Sequence, residues 1–171
     1  VVQKAGIDPE LVDDCIFGAA AQQGTQAYNL GRLSAIAGGL PVTTAGMSIE
    51  RQCSSGLMSI ATAAKSIMCN EYDVAVAGGV ESISLTQNKH KNTYRAVSKT
   101  VTAIDPTAYI PMIETAEIVA ERYGISRASQ DAYALQSQMR TAAAQDAGLF
   151  ADEIIPLTVT KANFNKETRE T

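Results

Sequence analysis

Arg51-Gln52-Cys53-Ser54-Ser55-Gly56-Leu57 marks the point where a strand-like segment gives way to a strongly apolar helix. The segment before it, Val42–Ile49, reads as a strand. The helix after it is expected to run to about Cys69, and Asp73–Ala77 (Asp-Val-Ala-Val-Ala) reads as an uninterrupted apolar strand closed by Gly78-Gly79. Strand, helix, strand over Val42–Ala77 is a βαβ unit, which is right-handed in nearly all proteins. Apolar strands of this kind suit a parallel or mixed sheet covered on both faces. Cys53 therefore stands at the carboxyl end of a strand, where α/β folds place their sites.

The same position faces the start of a helix. Open backbone N–H groups and the positive end of the helix dipole favour a thiolate there, and the thiolate is the nucleophilic form of cysteine. The residues leave three readings of Cys53 open: a nucleophile, a small buried hydrophobe, or a redox sensor. Ser54-Ser55-Gly56 favours the first. Apolar packing does not require that triplet, whereas serines can cap or donate and glycine permits close backbone approach. A cysteine nucleophile needs a base. The only histidine, His90, lies in the polar run Gln87-Asn88-Lys89-His90-Lys91-Asn92 and reads as a solvated surface residue.

Working outward, Val1–Ala5 reads as a helix end stopped by Gly6, Asp14–Ala19 as a buried strand, and Tyr28–Ala37 as a helix closed by Gly38-Gly39 and Pro41. In the helix after Cys53, Leu57, Ile60, Ala61, Ala64 and Met68 form one apolar stripe. Met58, Ala63 and Ile67 extend it, so burial nearly all round is expected. Composition changes after Thr86. Residues 87–98 are polar and basic and read as a surface excursion, with an anionic ligand for Lys89–Lys99 as the alternative. Met112–Tyr123 is an amphipathic helix stopped by Gly124, and Ser126 caps a longer helix, Arg127–Ala147, ended by Gly148. Glu153–Thr160 is strand-like, with Pro156 demoting it to an edge. The polar residues after it read as cut off. These shifts divide the chain into residues 1–86, carrying the cysteine, and residues 87–171, a covering segment.

Composition narrows the function. The chain has 171 residues, 46% of them hydrophobic, and a net charge of −4. It can bury a core and has no overall basic character for nucleic acid. No apolar run is long enough to span a bilayer. Three widely spaced cysteines, Cys15, Cys53 and Cys69, make a poor disulfide framework and fit a reducing compartment. Cys15 and Cys69 read as packing residues. No spacing suggests a metal site, and Gly78-Gly79-Val80-Glu81-Ser82 is a strand-end turn rather than a phosphate loop. The chain opens at Val1 without a methionine, so an earlier start is expected and a missing targeting segment carries no weight. A cytoplasmic location is the default.

At Arg51–Leu57 the chain resembles the thiolases, acetyl-CoA acyltransferases with a cysteine nucleophile in such a setting. Ala77-Gly78-Gly79-Val80-Glu81-Ser82-Ile83-Ser84 is similar to that family's AGG-x-ES-[MI]-S segment. Thr115–Arg127, followed by Gln130-Asp131, is similar to its TAE helix and sequel. Gly39-Leu40-Pro41 and Asp152–Pro156 also fit. The resemblance implies an α/β thiolase fold, N-terminal half: a mixed five-stranded sheet with a buried central helix, plus part of a loop domain that receives coenzyme A. Its first strand is expected to be missing. It implies an acyltransferase that cleaves 3-oxoacyl-CoA with coenzyme A, or runs the reverse condensation, through an acyl-Cys53 intermediate, with the Cys53 N–H helping to hold the oxyanion. Met112 aligns with a methionine near the pantetheine arm and is a substrate-binding candidate. Coenzyme A is a co-substrate, no cofactor is implied, and the full-length form is expected to be a homodimer or homotetramer in fatty acid β-oxidation.

The resemblance also assigns a histidine base to a GHP motif and a second cysteine to a CxG motif, and neither motif occurs in these 171 residues. An N-terminal fragment, inactive by itself, is therefore expected. Glu50, Pro111 and Ile113-Glu114 depart from common family residues and lean toward a degradative acyltransferase over an acetoacetyl-CoA-forming one. A ketoacyl synthase on the same fold, and a non-catalytic chain that associates with partner chains, are the alternatives.

Overall fold

A computed structural model describes residues 1–160 and residue 167. The chain divides into two compact units, Val1–Ser98 and Lys99–Thr171. The division falls after Ser98 rather than Thr86 because the 87–98 segment is tied back to the first unit. The Asn92 N–H donates to Gln23 Oε1 at 2.8 Å, and Asn88 Nδ2 donates to Ser84 O at 3.0 Å.

The first unit begins with a short helix, α1 (Val2–Ala5), stopped by Gly6 at φ 68°. Then come β1 (Asp14–Gly18), α2 (Leu30–Ala37), β2 (Ala45–Ile49), α3 (Ser55–Met68), β3 (Ala75–Gly79) and α4 (Ile83–Thr86). The strands form one parallel sheet in the order β2-β1-β3, so the β2-α3-β3 crossover passes over β1. Central β1 carries the core: Cys15 and Ile16 are 2% and 1% exposed. Alternation along β1 sends Ile16 and Gly18 to one face, Cys15 and Phe17 to the other. Gly18 meets α3, while Cys15 and Phe17 share a cavity wall with Ser34 and Ala35 of α2. The two longer helices thus cover opposite faces of the sheet.

Four sequence expectations change. The five-stranded mixed sheet is a three-stranded, all-parallel one among the described residues. Glu153–Thr160 contributes no strand: Glu153 ends a turn and residues 154–160 are irregular. Pro156 lacks a ladder donor. The strands flanking α3 also start late. The Thr44 N–H donates to Pro41 O and its hydroxyl to Val12 O, turning residues 42–44 out of the sheet. The Asp13 carboxylate takes the N–H groups of Asp73 and Val74 at 3.4 and 3.3 Å.

The largest change concerns α3. The expected apolar stripe is largely uncovered, with Leu57 73%, Ile60 51% and Met68 81% exposed. The docked face is instead Ser55, Ser59 and Ala63, at i, i+4 and i+8. Small side chains let the helix axis come close to the sheet, and Ser59 hydrogen-bonds there. A helix on one side of a sheet buries one face only, so the apolar stripe remains open.

The second unit contains α5 (Lys99–Ile104), α6 (Met112–Arg122) and α7 (Arg127–Asp146). Gly124 at φ 62° stops α6, and Ser126 caps α7 by accepting the Ser129 N–H at 3.2 Å. No helix among the described residues is long and apolar enough to cross a membrane. The polar end, residues 161–171, lies outside the described residues except for Glu167.

Candidate active site

The parallel register brings all three strands to an end at one level, Gly18 opposite Ile49 on one side and Gly79 on the other. A cleft of about 460 Å³ opens beyond that carboxyl edge. Gly18 and Ala19 line it from β1, Gln52 and Cys53 from the end of β2, Gly79 and Glu81 from the end of β3, and Ser55 and Gly56 from the start of α3. Cys53 is exposed in this cleft, two residues before α3. It is not a buried packing residue.

Its turn is built locally. Gln52 takes a left-handed backbone conformation, φ 50°, uncommon for a residue with a side chain. Several bonds hold it there. The Ser55 hydroxyl accepts the Arg51 N–H at 2.7 Å and donates to Gln52 O at 2.6 Å. The Gln52 N–H donates to Glu50 Oε1 at 3.1 Å, which gives Glu50 a turn-holding role. Of the two serines expected to cap or donate, Ser54 makes no side-chain cap, whereas buried Ser55 donates and braces the turn. In the first turn of α3, the Gly56 and Leu57 N–H groups have no acceptor among the described residues, which leaves donors open beside the thiol.

The helix start is seated on glycine. A Cβ on Gly18 would lie 2.1 Å from the Ser55 carbonyl carbon and 2.5 Å from the Gly56 nitrogen. A Cβ on Gly79 would lie 3.0 Å from Gly56 Cα. Backbone thus meets backbone where the strands end and α3 begins. Ser59, wholly buried, adds a polar tie: its hydroxyl lies 2.7 Å from Gly56 O and 2.5 Å from Gly78 O, sharing one proton between them.

Among the described residues, Glu81 is the one carboxylate lining the cleft, and it is not free to act as a base. Oε2 accepts the Ala20 N–H at 2.6 Å. Oε1 accepts Gln26 Nε2 at 2.6 Å and the Ala21 N–H at 3.3 Å. The Gln26 hydrogen bond above all, with the two amides, holds its carboxyl below the usual range against a smaller upward push from burial. At the expected strand-end turn, Glu81 thus makes a long-range tie across two loops.

The other candidates fall outside this cleft. His90 is exposed, and its backbone N–H turns onto Asn88 Oδ1 at 2.8 Å. Cys15 is buried, and its thiol is pushed up by burial and then by the Asp14 charge, so it is inert. Cys69 is exposed at the carboxyl end of α3, not packed. Met112 opens α6 in the second unit. It is 77% exposed and borders a groove of about 350 Å³ with Thr115, Val119, Ile125 and Gln130 of the same unit. Residues 89–98 are exposed throughout. No cluster of three metal-ligating side chains occurs among the described residues. Sequence reasoning missed Gly18, Gln26 and Ser59. A Ser-Ala i, i+4 spacing in α3 was the available signal for the last, and Gln26 had none.

Comparison with known proteins agrees with this geometry. The family model described as "Thiolase, N-terminal domain" matches residues 1–171. A 3-ketoacyl-CoA thiolase of Bacillus subtilis is 39% identical, over 97% of this chain and 42% of its own length. The mouse peroxisomal 3-ketoacyl-CoA thiolase B is 40% identical, over 95% of this chain and 38% of its own. A β-ketoadipyl-CoA thiolase of Pseudomonas aeruginosa is 36% identical, over 93% and 43%. The crystal structure of the Bacillus anthracis acetyl-CoA acetyltransferase superposes with a TM-score of 0.76 at 38% identity, over 94% of this chain and 43% of that one. The chain spans about two fifths of the length of these relatives.

Proposed function

Because this chain belongs to the thiolase family and has its fold, we propose that Cys53 is the nucleophile of an acyl transfer between thioesters, in a protein that cleaves 3-oxoacyl-CoA with coenzyme A. The observation that carries this reading is the exposed thiol at the start of α3, in a cleft at the carboxyl edge of a parallel sheet.

In the step so assigned, Cys53 Sγ adds to the 3-keto carbon. Donors at the helix start oppose the charge that develops on oxygen. The bond between C2 and C3 breaks, C2 takes a proton, acetyl-CoA leaves, and the acyl group stays on Sγ as a thioester. Coenzyme A sulfur then takes the acyl group and restores the thiol. Two protons must move, and nothing in the cleft moves them: Glu81 is fully engaged and His90 lies elsewhere. Acid–base help is worth about 10²–10⁴ in rate, so these 171 residues alone should not turn over.

The cleavage direction rests on Glu50, Pro111 and Ile113-Glu114. Fatty acid β-oxidation, a cytoplasmic location and assembly of the full-length form as a homodimer or homotetramer extend the same reading. Met112 is proposed to meet substrate, coenzyme A is a co-substrate, and no cofactor is proposed.

Incubation with acetyl-CoA followed by mass spectrometry tests the nucleophile. An acetyl adduct confined to Cys53 is expected. No adduct, or equal adducts on Cys53 and exposed Cys69, would overturn the reading.

A further inference from the structure

Beyond Gly18 and Gly79, where β1 and β3 stop pairing, the two chains run on as loops that wall the cleft. Such loops have lost their ladder and need other partners. The Ala19 N–H still reaches Ile49 O at 3.0 Å. After it, the Ala20 and Ala21 N–H groups donate only to Glu81. Gln26, 3% exposed, joins the same knot from a third direction. Its Nε2 donates to Ala21 O at 2.8 Å and to Glu81 Oε1 at 2.6 Å, and its Oε1 accepts the Ser82 N–H.

We propose that Glu81 and Gln26 are positioning residues, a clamp that locks the Ala19–Ala21 wall to the Glu81–Ser82 backbone and so fixes the cleft in which Cys53 reacts. Each oxygen of the carboxylate and each side of the amide has a partner, so the pair can act only by holding. Both sites are polar and satisfied in a place where an unpaired amide would otherwise let the loop open. A charged acceptor suits the task, because hydrogen bonds to a carboxylate are about twice as strong as neutral ones. The low-lying carboxyl agrees with an anion held by donors. The clamp's purpose rests on the acyl-transfer reading of Cys53; its existence does not.

The three cysteines supply the test, since Cys53 lines the cleft, Cys69 is exposed away from it and Cys15 is buried. The full chain and its Glu81→Ala, Gln26→Ala, double and Glu81→Gln variants are treated with iodoacetamide. Labelling of each cysteine is followed by mass spectrometry, alongside hydrogen exchange in the peptide spanning Ala19 to Gln22. In Glu81→Ala, exchange at Ala20 and Ala21 should rise about tenfold, as expected when a charge-assisted bond is lost. Cys53 labelling should rise about threefold or more, with Cys69 unchanged and Cys15 protected. The double variant should match the single ones, because both act in one network. Glu81→Gln keeps the size and one acceptor and should fall between, which preserves the test if the alanine variant does not fold. Unchanged exchange at Ala20 and Ala21 would overturn the clamp. Cys15 labelling that rises in step with Cys53 would make Glu81 a merely structural residue. Failure of acetyl-CoA to acylate Cys53 in the unmodified chain would overturn the acyl-transfer reading and leave the exchange result standing.

Discussion

Replacing Gly18 by alanine adds one methyl group at the point where β1 meets the start of α3. That methyl would lie 2.1 Å from the Ser55 carbonyl carbon and 2.2 Å from its oxygen, whereas ordinary contact begins near 3.4 Å. The backbones must separate by about 1.3 Å, and no flexible side chain is available to absorb the shift. Overpacking of this kind costs about 1–3 kcal/mol. At about 2 kcal/mol, a unit of this size should melt roughly 10 °C lower. The shift also displaces Cys53, which precedes α3 by two residues, and a displacement near 1 Å can slow a reaction on the order of 100-fold. Thermal melting and the rate of acetyl transfer from acetyl-CoA to Cys53 measure the two effects. A Gly18→Ala chain with the parent's melting temperature and acylation rate would refute the glycine seat as the device that positions Cys53.

Other consequences can be checked alongside. Ser59→Ala removes the proton shared by Gly56 O and Gly78 O and should cost about 1–2 kcal/mol in urea denaturation, with Cys53 still labelled. The Glu81 carboxyl is held low in the folded chain, so its stabilisation is complete above the unfolded value, near 4.3, and is lost as pH falls through the folded one. The stability gap between the parent and Glu81→Gln should therefore be present at neutral pH and close in acid; a gap independent of pH would contradict this. The open stripe of Leu57, Ile60, Ile67 and Met68 should drive self-association, detectable by sedimentation and relieved by Leu57→Glu with Ile60→Glu. A monodisperse parent chain would count against it.

The βαβ unit was legible because period and punctuation agree: apolar strands end in glycine and the helix carries one continuous apolar pattern. Cys53 was legible for the same reason, since a strand end and a helix start meet there. The face of α3 was misread because hydrophobicity identified the stripe that could be buried, while close approach to the sheet selected Ser55, Ser59 and Ala63 instead. Gln26 and Glu81 lie 55 positions apart in sequence, and a tie at that distance leaves no local pattern. The strand expected at Glu153–Thr160 had suitable residues, but Pro156 sits in its middle without an N–H to donate, and residues 154–160 are irregular.

The glycine seat has a consequence for how such a site can diversify. Where main chain presses on main chain, no side chain can be added without moving the helix start. The walls are different: Ala19, Val80 and Ile83 border the cleft with side chains that can grow or shrink. Mutational drift can therefore reshape the space around Cys53 while the helix start stays put. One end of the cleft is frozen and the other is free to vary, within a single strand-to-helix corner.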